Sequence, residues 1–149
     1  MSSRMDRVLK LIELAEIEMD KAAKTLGAVQ EQHIQAQNQL VSLQTYEQEY
    51  SQAPAKESIS MNIVQLQTRH TFGEKLHQAV MTQSFQVDEF AHTIERVKDN
   101  WLEKRTEVKS LQLLFDKLKR DREAQLNKQE QRLLDELAAQ KMILDKKNR

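Results

Sequence analysis

The 149-residue chain holds two glycines, one proline and no cysteine; 31% of its residues are charged, 39% hydrophobic and 5% aromatic. So few turn formers exclude a sandwich, a barrel or an α/β fold, and the missing thiol excludes disulfides, thiolate zinc sites and cysteine nucleophiles. Net charge is zero, but residues 1–100 carry 10 basic and 14 acidic side chains and residues 101–149 carry 13 and 9, a net −4 against a net +4; a tail this weakly basic, interrupted by acids, does not suit non-specific DNA or lipid binding.

A mean hydropathy of −0.73, with Gln, Glu, Lys, Leu and Ala abundant, predicts long helices with a narrow apolar seam. The first 20 residues lack an uncharged apolar core followed by a small-residue cleavage site, so no secretory leader is expected. No apolar run approaches the roughly 20 residues that span a bilayer. A cytoplasmic protein is expected.

Steps of three and four residues from Met5 give Met5, Val8, Ile12, Ala15, Met19, Ala22, Leu26, Val29, His33, Ala36, Leu40, Leu43, Glu47 and Tyr50. All but His33 and Glu47 are apolar or aromatic, the heptad pattern of a left-handed coiled coil. This predicts a first helix over about 4–51, with His33 as a buried, hydrogen-bonded seam histidine. Pro54 then follows within a run of small and polar residues. Proline disfavours helix at the residue before it and cannot donate in a helix interior. A turn over about 52–60 is expected, with Ser58 or Ser60 capping the next helix.

The second helix, about 61–145, has a seam of Leu76, Val80, Gln83, Val87, Phe90, Ile94, Val97, Trp101, Lys104, Val108, Leu111, Phe115 and Leu118. Ile63, Leu66 and Phe72 face roughly the same side before it, with Gly73 a weak spot. Gln83 and Lys104 break the apolar run and read as register devices. After Leu118 the pattern collapses, and a short apolar group returns at Leu133, Leu134, Leu137, Met142, Ile143 and Leu144.

Two long seams joined by a short turn predict one domain over 1–149, all-α: a two-helix antiparallel coiled-coil hairpin with a C-terminal helical extension. Pairing around the turn places Met5 opposite about residue 107–111, and the hairpin is expected to be monomeric. The sequence offers no phosphate-cradling loop, no nucleophile elbow and no HExxH. His70 and His77, two helical turns apart, are too distant to share one metal. No enzyme activity and no cofactor are expected. Tyr46 and Tyr50 lie across from Phe72 and Leu76, which places aromatic surface beside the turn. Such a cluster closes a splayed coiled-coil end or docks a partner.

The chain resembles the FliJ family, the small coiled-coil component of the bacterial flagellar type III export apparatus. The resemblance is carried by Leu14-Ala15-Glu16, Asp20-Lys21-Ala22-Ala23 and Leu26-Gly27. It continues through Gln39-Leu40, Leu43, Tyr46 and Glu49-Tyr50, then Phe72, Leu76 and Ala79, then Trp101 and Lys104-Arg105. It implies a non-enzymatic stalk and adaptor like the central stalk of rotary ATPases, inserting into and activating the hexameric export ATPase FliI. It further implies links to the export-gate protein FlhA, handling of export chaperones, and a role in motility and chemotaxis. The implied location is the cytoplasm at the flagellar base, touching the cell membrane only through the gate. Carried over to this sequence, the gate-binding positions are Gln39, Leu43, Tyr46, Tyr50, Phe72, Leu76 and Ala79, with Gln83 where the family can have a histidine. Lys117, Lys119, Arg120 and Arg122 are expected to contact the ATPase ring. The competing readings are the equivalent stalk of a virulence type III secretion system and a structural coiled-coil dimer. A DNA-binding zipper is disfavoured, because only Arg4, Arg7 and Lys10, beside acids, accompany the start of the first seam.

Overall fold

The computed structural model describes residues 3–52 and 62–148. They form two long helices, α1 (Ser3–Gln52) and α2 (Ile63–Lys147), which pack against each other as an all-α antiparallel hairpin. Among the described residues there is no strand. Asp6 lies in the first turn of α1 and Lys146 and Lys147 in the last turn of α2, each complementing the helix dipole. Asn62 caps α2: its Oδ1 accepts from the Gln65 N–H at 2.8 Å, and its own N–H donates to Gln65 Oε1 at 3.2 Å. This reciprocal capping box satisfies two donors that a helix start leaves orphaned. It replaces the expected serine cap; Ser58, Ser60 and Pro54 lie outside the described residues.

Two compact units divide the pair, residues 20–103 and residues 1–19 with 104–149. In the second unit Met5, Val8, Ile12 and Ala15 are buried from α1, and Val108 from α2. Leu111, Phe115 and Leu118 lie half-buried along the same seam. Among the described residues of the unit 20–103 only Ala22, Ala36 and Leu76 are buried, while the other seam side chains remain half-exposed. Every seam position read from the sequence is buried or half-buried. A two-helix contact covers one face of each helix, so most apolar groups keep part of their surface in water.

Three expectations need correction. Ile63, Leu66 and Phe72 are exposed, and the seam of α2 instead begins at half-buried Arg69 and Gly73. Met5 does not face residues 107–111. It lines one depression with Phe115, Lys119, Arg122, Glu123 and Leu126, so pairing continues about two turns further along α2. The same offset is seen at Tyr50, which meets Arg69 and Phe72; the first turns of α2 overhang the end of α1, and the midpoint of the pairing moves with them. His33 is half-buried, and no hydrogen bond among the described residues uses its ring. Lys104, the other polar seam position of α2, is half-buried.

Candidate partner-docking face

Near the connection, α1 and α2 are locked by one reciprocal pair. The Tyr50 hydroxyl donates to the Arg69 carbonyl at 2.8 Å, and Arg69 Nη2 donates to the Tyr50 carbonyl at 3.2 Å. The Arg69 guanidinium also sits 5.0 Å from the centroid of the Tyr50 ring, a distance at which a cation is attracted to the ring face. Gly73 lies directly beneath this ring: a Cβ there would meet Tyr50 Cε1 at 3.4 Å, an ordinary contact. The glycine read as a weak spot is the floor under a tyrosine ring.

The same ring orients the aromatic surface. Tyr50 and Phe72 stack tilted with centroids 5.1 Å apart, and Tyr46 meets Phe72 edge-on at 6.4 Å and 89°, the geometry that ring quadrupoles favour. Tyr46 remains 48% and Phe72 44% exposed. Further along, Gln83 Nε2 donates across the seam to the Ala36 carbonyl at 2.9 Å and to Gln39 Oε1 at 3.2 Å. The small Ala36 side chain lets the amide reach the facing backbone, so Gln83 ties the two helices in one register.

These contacts bring the eight candidate gate-binding residues into one band. Gln39, Leu43, Tyr46 and Tyr50 step by four, three and four residues along α1; Phe72, Leu76, Ala79 and Gln83 repeat the same steps along α2. Antiparallel pairing sets Tyr50 beside Phe72 at one end and Gln39 beside Gln83 at the other. Their exposure differs. Gln39, Tyr46, Phe72 and Ala79 are open to solvent, Leu43, Tyr50 and Gln83 are half-buried, and Leu76 is 7% exposed within the core. Arg69 belongs to the band as a brace, and the sequence reading missed it. Its signal was position: it stands seven residues before Leu76, on the same helical face.

The opposite flank is polar. His77 Nδ1 lies 3.1 Å from Glu47 Oε1, and the other oxygen of this seam glutamate is buried without a hydrogen-bond partner among the described residues. His70 and Glu74 pair at 3.2 Å on the exposed surface of α2. A groove of about 730 Å³ lined by Tyr50, Leu66, Arg69, His70, Gly73 and His77, among others, runs along this flank. Among the described residues no three His, Asp or Glu side chains converge as a metal site.

Of the basic group, Lys119 and Arg122 border the depression that holds Met5, while Lys117 and Arg120 are exposed. Arg122 Nη1 is buried without a hydrogen-bond partner among the described residues. From Glu123 to Asn148 every residue is exposed, and no helix among the described residues is long and apolar enough to cross a membrane.

The model of the family described as Flagellar FliJ protein matches residues 4–147, nearly the whole chain. The chain belongs to the FliJ family. It is thus a coiled-coil protein associated with flagellar type III protein export, a family known as a non-catalytic part of the export apparatus. No curated protein and no solved structure gives a significant match.

Proposed function

We propose that this FliJ-family chain is a non-enzymatic stalk and adaptor of the flagellar export apparatus. In this reading the α2 tail, with Lys117, Lys119, Arg120 and Arg122 at its base, enters the ring of the export ATPase FliI and promotes its activity. The band near the connection docks to the export-gate protein FlhA, and the chain also receives export chaperones. It works in the cytoplasm against the inner face of the membrane. The observation that carries the gate-binding part is the half-exposed Tyr46–Phe72 pair, its rings packed edge-on and against the braced Tyr50 ring with their outer surface uncovered. Aromatic groups on a rigid base are the residues most enriched in binding hot spots.

Within the band the roles divide by exposure. Gln39, Tyr46, Phe72 and Ala79 touch the gate; Leu43, Tyr50, Leu76 and Gln83 hold them in place. Tyr46→Ala tests this division. Truncating a hot spot costs about 2 kcal/mol or more, so gate affinity should fall at least about tenfold while the melting temperature barely moves. Retention of both gate affinity and motility would remove Tyr46 from the interface. Unfolding by the same change would make it a packing residue.

A further inference from the structure

The exposed tail of α2 carries an ordered apolar stripe. Leu126, Leu133, Leu137 and Leu144 are 52%, 57%, 53% and 61% exposed. On a helix of 3.6 residues per turn all four fall within about 40° of one another. With Leu118, Arg122, Gln129 and Gln140 they follow steps of four, four and three. This is an 11-residue repeat that replaces the heptads of the hairpin and runs nearly straight along the helix.

We infer that this stripe pairs antiparallel with the same stripe of a second copy of the chain. The gaps between the four leucines are seven, four and seven residues, so the stripe reads the same in both directions about residue 135. A two-fold axis there sets Leu126 of one copy against Leu144 of the other and Leu133 against Leu137, the self-complementarity an isologous interface requires. The register brings Glu130 of each copy beside Lys141 of the other on the same flank, two opposite-charge pairs. Arg122 and Lys147 meet as like charges at the outer ends, which keeps the association weak.

The parallel alternative is blocked by α1. Met5 of α1 lines one depression with Phe115, Lys119, Arg122 and Leu126, so α1 occupies the face of α2 that leads directly into the stripe. Two copies laid parallel through their leucines would have both α1 helices wedged between them at the base. The antiparallel pair avoids this collision, because the base of each tail meets the far end of the other. The inference does not depend on the export reading, since it concerns the purified chain alone.

Cysteine trapping tests it directly, because the chain has no cysteine of its own. Glu130→Cys and Lys141→Cys full-length chains are oxidised singly and as a mixture, with Asp135→Cys, on the far side of the helix from the stripe, as control. The mixed disulfide should exceed each self-disulfide by about tenfold, the ratio that a 1.4 kcal/mol preference gives. Self-disulfides of both variants in excess would establish parallel pairing and overturn the proposal, as would yields no higher than the Asp135→Cys control. A charge swap without cysteine gives a second readout by sedimentation. Lys141→Glu should weaken self-association and Glu130→Lys with Lys141→Glu should restore it; a failure to restore it, with helicity unchanged by circular dichroism, would also overturn the register.

Discussion

At the scale of single residues the hairpin depends on how Tyr50 is held. Its hydroxyl donates to a carbonyl of the facing helix in a half-buried setting. Removing one partner of such a bond leaves an acceptor short of its donor and costs about 1 kcal/mol. Tyr50→Phe should therefore lower stability by about that amount, whereas Tyr46→Phe, at a ring half open to water, should change it by less than about 0.5 kcal/mol. Urea denaturation of the two variants separates them, and equal effects would deny Tyr50 its bracing role. The two glycines make a sharper pair. A Cβ at Gly27 meets nothing within 4 Å, so Gly27→Ala should stabilise by about 0.5–1 kcal/mol through helix propensity alone. At Gly73 a methyl just reaches ordinary contact with the Tyr50 ring at 3.4 Å. Gly73→Ala should also be tolerated, but Gly73→Leu must push the ring aside. Near-ultraviolet circular dichroism should show a disturbed tyrosine signal in Gly73→Leu only.

At the scale of the helices, the seam was legible because a two-helix contact imposes one repeating condition along its length. Positions three and four apart must leave water, and Met5 through Tyr50 and Leu76 through Leu118 obey it. The start of α2 was not legible by that rule. Ile63, Leu66 and Phe72 are apolar yet exposed, while Arg69 holds a seam position because its guanidinium stacks on Tyr50. An apolar search passes over arginine, although its stem and planar head pack well against an aromatic ring. The candidate site was legible as a set of residues but not as a surface. Leu76 and Phe72 are four apart and both apolar, yet one is 7% and the other 44% exposed, a difference set by which flank of the seam each occupies. The tail yields the prediction that belongs to this scale. No residue from Glu123 to Asn148 is buried or half-buried, so removing residues 124–149 should leave the seam of the helix pair intact. The truncated chain should melt within a few degrees of the full one, given that about 1 kcal/mol moves a domain of this size by a few degrees. A large loss would mean that the tail folds back on the hairpin.

At the scale of the whole chain the two proposed attachments use different residues from different units. The aromatic band lies within residues 39–83, in the unit of residues 20–103, and the exposed tail lies beyond residue 122 in the other. They share no side chain, and the variants that disturb one leave the contacts of the other in place. Effects at sites that share no partners add independently. A stalk that joins an ATPase to an export gate should then lose its two attachments separately. Tyr46→Ala should weaken gate binding while stimulating the cognate export ATPase as the unaltered chain does. Truncation after Glu123, which spares the basic group at the base of the tail, should reduce that stimulation while keeping gate affinity within about twofold, the spread expected when distant changes add within roughly 0.5 kcal/mol. The double variant should show both losses with no further interaction between them. ATP turnover and gate affinity, measured on the same four proteins, decide the matter. If Tyr46→Ala lowers ATPase stimulation as much as truncation does, the two attachments form one coupled interface and the division of labour proposed for this chain is wrong.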